Sequence, residues 1–401
     1  MAVGGRGTLI GGLSILPRGL IHVCFHGDPR SDNLQSWVLS LVRHHRVRVT
    51  LLSLGTGMQF VGPVPVVDLP FPPRLGPVRF GLAAPFVRRA VRRIRPDVLI
   101  GYRIPSYGVL SSLTGFRPVV LVAQSETELW PPALALKRLL LRRILPRADL
   151  IQAWAPTMVP SLLAAGAREE QILCLPRGIE VDEFVPGRDL AAQPFARGGS
   201  AAENPPGPVR MIVTRTLHED YNHGQILEAL ALLRHEGLET CLDVAGDGPL
   251  RARLEAQARQ LAPGAVRFLG KVAHAELPAL LASSDLYLST PITEGLSASL
   301  VEAMACGAFP LVTDHPGNRR LIEDGRNGRL VRVGDAAGLA QAIREVWASP
   351  ALRARAVLRN RRFVEEHMRA DHNLGRMLQR YEELAAARRA TAAGPLQGAR
   401  P

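Results

Sequence analysis

The segment "DLYLSTPITEGLSASLVEAMACG", residues 285–307, decides how the chain is read. "DLYLST" has the length and apolar content of a strand and ends at Thr290. A loop with Pro, Thr and Gly follows, and from Ser297 the apolar residues recur at helical spacing. Strand, loop and helix in this order bring backbone N–H groups and the positive end of a helix dipole to the strand's C-terminal end, a geometry that suits a phosphate. Two glutamates flank the turn. Glu294 lies in the loop beside Gly295, which lets a backbone come close, and Glu302 lies about one and a half turns into the helix. Carboxylates accept hydrogen bonds from vicinal hydroxyls, so the pair could grip the two ends of a nucleotide sugar, with Glu302 at a ribose. Read alone, Glu294 is equally a loop charge and Glu302 a helix residue satisfied by a neighbour.

The same alternation extends outward from this unit. "LIHVCF", "LQSWVLSLVRHH", "VRVTLLSL", "VRRAVRRIRP", "DVLIGY" and "PVVLVAQ" alternate strand-like and helix-like runs. That order predicts an α/β fold with a doubly wound parallel sheet and ligand sites at the strand C-termini. Residues 187–208 lose the periodicity and fill with Gly, Pro, Ala and Ser, as a linker does. The rhythm then restarts with "VRMIVTR" and runs through a second domain. The predicted organisation is a Rossmann-like domain at 19–186, a linker at 187–208, a second Rossmann-like domain at 209–365, a helix at 366–388 and a disordered tail at 389–401.

Size and composition agree with two cores and a cleft between them. A chain of 401 residues exceeds the roughly 100–200 residues of an ordinary domain. Its 47% hydrophobic and 21% charged residues are those of a folded protein. Lys and Arg number 49 against 36 Asp and Glu, a net charge of +13, so the partner is expected to be acidic: phosphates, anionic lipid or nucleic acid. Two stretches concentrate the charge. They are "VRRAVRRIR", residues 87–95, and "LALKRLLLRRILPR", residues 134–147, the second of which interleaves Lys137, Arg138, Arg142, Arg143 and Arg147 with Leu and Ile. This suits a helix lying on anionic lipid, and equally a solvated helix face covering a sheet.

Cys24, Cys174, Cys241 and Cys306 have no paired spacing, which points away from zinc or a disulfide framework and towards a reducing, cytoplasmic setting. No run reaches about 18 apolar residues, the length needed to span a bilayer. "TLIGGLSIL" near the start has the length of a signal h-region, but no small-residue cleavage site follows it. No Asp-x-Asp and no His/Asp ligand cluster is present, so nothing in the sequence argues for a metal or another cofactor.

Four ordered blocks carry a family resemblance: "PRGIEVDEFVPG", "VAGDGPLRARLE", "VRFLGKVAHAELPALLASSDLYLS" and "TEGLSASLVEAMACGAFPLVTDHPGNRRLIEDGRNGRLV". They resemble family-4 retaining glycosyltransferases, and the last contains that family's E-x7-E motif. The resemblance covers about residues 20–388 and implies the GT-B fold, two facing Rossmann-like domains with a C-terminal helix returning to the first. It also implies transfer of a sugar from a nucleotide diphosphate sugar to a glycan or lipid-linked hydroxyl, in surface polysaccharide or glycoconjugate synthesis. Nucleic acid is not an expected partner. Carried over by position, Glu294 contacts the donor sugar, Glu302 holds the ribose hydroxyls, and the N–H groups of Gly295, Leu296, Ser297 and Ala298 cradle the diphosphate. Arg215, in "VTRTL", neutralises it. In the first domain, "GDPRSDNLQSW" is similar to the family's first loop, which assigns Gly27 to the acceptor side and Asp28 to orienting a hydroxyl or acting as base.

The departures from the pattern are specific. Relatives follow the arginine with a Lys-Gly pair, whereas "RTLHEDYNHG" has no lysine between Arg215 and Gly224. The Tyr221–Asn222 pair resembles a variant of the site and adds Asn222 to the donor residues. Many relatives place a histidine after the strand equivalent to "PVVLVA", where this chain has Gln124, Ser125 and Glu126. Ser125 and Glu126 are assigned to the donor or acceptor pocket. His26 also falls at a strand C-terminus facing the cleft. The missing lysine and histidine leave open a second reading, a catalytically degenerate relative that binds nucleotide or a partner protein without turnover.

Overall fold

The architecture comes from a computed structural model, which describes residues 20–55, 57, 62–71, 78–124, 135–187 and 207–393. Ser125 and Glu126, most of the 187–208 segment and the "TLIGGLSIL" stretch lie outside the described residues.

Strands β1 (His22–His26), β4 (Val98–Tyr102), β5 (Val119–Ala123) and β6 (Leu150–Ala153) are buried at every position. This is the signature of central strands in a parallel sheet covered on both faces, where apolar runs are continuous rather than alternating. With β2 (Arg48–Leu54), β3 (Val66–Leu69) and β7 (Ile172–Cys174) they form a seven-stranded sheet ordered β3-β2-β1-β4-β5-β6-β7. All six pairings are parallel. Helices α2 (Val78–Ile94), α3 (Val109–Leu113), α4 (Ala135–Ile144) and α5 (Val159–Ala164) pack on one face through Val87, Val91, Leu110, Leu141 and Leu162. The opposite face takes α1 (Asp32–His44) through Leu34, Trp37 and Leu41.

The second sheet is six-stranded, ordered β10-β9-β8-β11-β12-β13. Its strands are β8 (Val209–Val213), β9 (Thr240–Ala245), β10 (Val266–Gly270), β11 (Leu286–Ser289), β12 (Phe309–Thr313) and β13 (Arg329–Val331), again all parallel. Helices α6 (His223–His235), α7 (Arg251–Leu261) and α11 (Ala336–Trp347) cover one face. On the other lie α8 (Leu277–Ala282), α9 (Ala298–Cys306) and α12 (Pro350–His367), with the short α10 (Pro316–Arg319) following β12. Each sheet reverses its strand order once, at β1/β4 and at β8/β11, and such reversals open ligand crevices at strand C-termini.

The expected C-terminal helix exists as α13, Ala370–Ala393, and not over 366–388. Residues 366 and 367 end α12, and the chain breaks at Met368 and Arg369 before α13 begins. Residues 389–393, read from sequence as tail, are helical; only 394–401 lie outside the described residues. Leu374, Met377, Leu378 and Tyr381 bury themselves against the first sheet, and Tyr381 Oη donates to Gln152 Oε1 at 2.7 Å. The final helix thus belongs to the N-terminal core, as the fold resemblance implied.

Leu374 is fully buried at that seam. Leu374→Ala should therefore cost about 2–5 kcal/mol in urea unfolding, whereas Leu232→Ala, on the exposed side of α6, should stay within about 0.5 kcal/mol.

Candidate functional site

The loops after β8 and β11 meet at the switch point of the second sheet. Two features hold them together. Thr290 Oγ1 donates to the carbonyls of Tyr221 and Asn222, each at 3.1 Å, and the Ile292 N–H donates to the Asp220 carbonyl at 2.8 Å. Ser297 caps α9: its hydroxyl accepts from the Leu300 N–H at 3.3 Å. The turn Glu294–Ala298 therefore ends in a helix N-terminus whose first N–H groups have no intrahelical acceptor.

Arg215, just after β8, reaches this turn. Its guanidinium forms an ion pair with Glu294, approaches Ser299 Oγ at 3.5 Å and lies over the Tyr221 ring, 4.6 Å from its centroid. The pair is mostly buried, yet incompletely satisfied: Arg215 Nε and Glu294 Oε2 are buried with no hydrogen-bond partner. A guanidinium edge and a carboxylate oxygen both left unpaired in a low-dielectric site mark a place where something polar binds.

A cavity of about 200 Å³ opens beside the pair. Arg215, Tyr221, Glu294, Leu296 and Ser299 line it from the second half; Asn33, Trp154 and Arg177 line it from the first half and its connection. The cavity thus lies between the two sheets, at their strand C-termini. Among the residues expected from sequence, Arg215, Glu294, Leu296 and Ala298 line it, and Gly295 and Ser297 belong to the same turn. Glu302 is buried one residue past the lining Val301, with Oε1 3.4 Å from His274 Nε2.

Other expected residues are placed differently. Asn222 turns away: it adopts a left-handed conformation (φ 45°) at the start of α6, and its Nδ2 donates to Gln225 Oε1 at 2.9 Å. Its neighbour Tyr221 is the one that meets Arg215. Asp28 is gripped by Arg30, whose Nη2 lies 2.7 Å from Oδ2 and whose Nε lies 3.0 Å from Oδ1. As a base it would first have to leave that fork. Gly27 serves packing, since a Cβ there would sit 2.7 Å from Leu34 Cδ2. His26 is wholly enclosed: Nδ1 pairs with Ser111 Oγ at 3.0 Å, and burial pushes its pKa down to about 3, so the ring is neutral. It lies under the cleft rather than facing it.

Sequence reasoning overlooked Arg177, Trp154 and Asn33. The strand-end rule that marked Arg215 applies equally to "ILCLPRG", where Arg177 follows β7. Trp154 also follows a strand, β6, but is not a charged residue type, and Asn33, inside α1, carries no strand-end signal. Among the described residues no three His, Cys, Asp or Glu side chains gather as a metal site, and no helix is long and apolar enough to cross a membrane.

Comparison with known proteins fits this geometry. Residues 36–183 match the family described as Glycosyltransferase Family 4, and residues 201–363 match Glycosyl transferases group 1. The putative glycosyltransferase EpsF of Bacillus subtilis is 31% identical over 221 residues, 53% of each chain. The GDP-mannose-dependent alpha-(1-6)-phosphatidylinositol monomannoside mannosyltransferase of Mycolicibacterium smegmatis is 27% identical over 252 residues, 61% of this chain and 64% of its own. The match therefore spans between half and two thirds of these relatives' length. Anabaena HepE, solved in complex with UDP, superposes with a TM-score of 0.72 at 19% identity, covering 91% of this chain and all of its own. The chain belongs to the family-4 glycosyltransferases and has their GT-B fold.

The His274–Glu302 contact has a pH signature. Glu302 raises the His274 pKa above its ordinary 6.5. A group whose folded pKa is raised contributes stability fully below about pH 6.5 and loses it as pH rises through the folded value. Thermal melting should therefore show His274→Gln more destabilising at pH 6 than at pH 9; equal effects at both would mean the contact carries no charge.

Proposed function

We propose that the protein is a retaining glycosyltransferase that moves a sugar from a nucleotide diphosphate sugar to a hydroxyl of a glycan or lipid-linked acceptor, in surface polysaccharide or glycoconjugate synthesis on the cytoplasmic side of a membrane. The observation that carries this reading is the incompletely satisfied Arg215–Glu294 pair at the N-terminus of α9. The bond that breaks joins the sugar to a diphosphate, and negative charge grows on the leaving oxygen. A guanidinium and a helix N-terminus aimed at that position stabilise the developing charge more than the ground state. Glu294, exchanging Arg215 for substrate, accepts from a hydroxyl of the sugar, and Glu302 accepts from the ribose. Asp28 with Arg30 orients the acceptor from the first domain. An acceptor held on the face from which the diphosphate leaves retains the configuration at the transferred carbon. Arginine and amide groups supply the charge stabilisation, so neither a metal nor another cofactor is part of the proposal.

The names of the relatives direct the donor panel: HepE was solved with UDP, and the mycobacterial relative is named for GDP-mannose. A donor at 100 times its Kd should stabilise the fold by about 2.7 kcal/mol, visible as a shift in Tm. UDP-, GDP- and ADP-sugars should divide into one class that shifts Tm and others that do not, with the shift lost in Glu302→Ala and Arg215→Ala. A shift without sugar transfer to any acceptor would favour the degenerate, non-catalytic relative; no shift with any donor would remove the enzyme reading.

The acceptor-side partner we propose is an anionic membrane surface. Arg88, Arg89, Arg92 and Arg93 on α2 and Arg142 and Arg143 on α4 are exposed on the helices of one face of the first sheet. Leu82 and Phe86 on α2, Leu113 on α3, Leu139 on α4 and Leu163 on α5, each 40–55% exposed, lie on helices of the same face. The acids of residues 78–113 and 135–164 are Asp97 and Asp149, and both are paired, with Arg389 and Arg117. Apolar tips among guanidiniums that form no ion pair among the described residues match the boundary of an acidic bilayer. Vesicles rich in phosphatidylglycerol should co-sediment the protein where phosphatidylcholine vesicles do not, and Leu82→Asp with Phe86→Asp should abolish this. Binding that survives the double substitution places the contact elsewhere.

A further inference from the structure

Arg177 is a charged side chain that forms no ion pair among the described residues. It is only 8% exposed, and its one hydrogen bond among the described residues is neutral, from Nη1 to Ser36 Oγ at 2.5 Å. Glu302 and Glu180 act on it through space but neither forms an ion pair with it, and burial pulls its pKa below the ordinary value. Glu180 is occupied elsewhere, accepting from Ser40 and facing His44 Nε2 at 2.7 Å. A buried guanidinium costs several kcal/mol unless paired, so this arrangement is stable only at a penalty, or with an anion that arrives with a ligand.

The place where it sits selects the anion. Arg177 lines the same cavity as Arg215, Ser299 and the first turn of α9. It is held there by backbone: Gly178, the next residue, has φ +83°, and a Cβ on it would fall 2.6 Å from the Met368 carbonyl oxygen. The Ile179 N–H donates to that same oxygen at 2.8 Å. Arg177 from the first half, and Arg215 with the first turn of α9 from the second, thus line one cavity of about 200 Å³ that presents two cations to an anionic ligand.

We propose that Arg177 is the second cation of the donor site, binding a phosphoryl oxygen of the nucleoside diphosphate from the first-domain side while Arg215 binds from the second. It then fills the place left by the lysine that is absent between Arg215 and Gly224. Because Arg177 also bonds to Ser36 on α1, a diphosphate held by both arginines ties the two halves together across the cleft. This inference rests on the donor-site reading above.

The test is calorimetric titration of the full chain with UDP, GDP and ADP and with UMP, GMP and AMP, for wild type, Arg177→Met, Arg177→Lys and Arg215→Met, alongside Tm without ligand. Arg177→Met should weaken binding of the preferred diphosphate roughly 10- to 100-fold, the weight of a charge-assisted hydrogen bond, and shrink its preference over the monophosphate. Arg177→Lys should restore part of it. The unliganded Tm of Arg177→Met should equal or exceed that of wild type, because a buried uncompensated charge has gone. Wild-type binding with unchanged affinity in Arg177→Met overturns this inference and leaves the donor reading standing, and so points to a purely structural arginine or to a phosphate carried by the acceptor. A wild type that binds none of the three diphosphates overturns both.

Discussion

The structure depends on one backbone crossing. The chain leaves the first sheet after β7 and returns to it before α13, and the two passages meet where Gly178 packs against Met368–Ala370. Ile179 exchanges hydrogen bonds with both sides of that meeting, donating to Met368 at 2.8 Å and accepting from Ala370 at 2.9 Å. Only a residue without a Cβ, in a left-handed conformation, lets the strands approach this closely. The crossing sets where α13 lands on the N-terminal core, how the linking segment enters the second core through Ile179, Val181 and Phe184, and where Arg177 stands on the cleft wall.

Electrostatics in the cleft follow from that placement. Arg215 and Glu294 neutralise each other only in part, leaving one donor and one acceptor buried and unpaired. Arg177 contributes a further positive charge that Glu302 and Glu180 reach only through space, with no ion pair to it among the described residues. In water such charges would be worth little; shielded by Trp154, Leu296 and Val301 they act in a lower dielectric, where a diphosphate gains most. The long cationic surface of α2 and α4 is a different case, exposed and screened by salt, and suited to holding the protein near an acidic layer rather than to selecting a ligand.

Much of the fold was legible because its signals are local. Continuous apolar runs such as "VLIGY" and "VVLVA" announce strands buried on both faces, and Ser297 before an apolar helix announces the cap of α9. The site was legible where residue type and strand end coincide, as at Arg215 and Glu294. It was not legible where a side chain chooses between neighbours. Nothing in "GDPR" says that Asp28 bonds to Arg30 two residues on, and nothing in "DYNHG" says that Tyr221 covers Arg215 while Asn222 turns to Gln225. The break between α12 and α13 was missed because both segments are helical in composition, and the interruption at Met368 and Arg369 exists to meet Gly178, nearly 200 residues earlier.

The sequence by itself determined the order of strands and helices, the parallel sheets they imply and the turn that presents α9 to the cleft, since each depends on hydrophobic period and capping within about 20 residues. Tertiary structure alone decided which charges meet. Ion pairing, burial and orphaned hydrogen-bonding atoms depend on distances between residues far apart in the chain: Arg177 with Ser36, Arg215 with Glu294, Glu302 with His274. Whether a charge is compensated or left waiting for a ligand depends on three-dimensional proximity, and residue order carries no direct record of that.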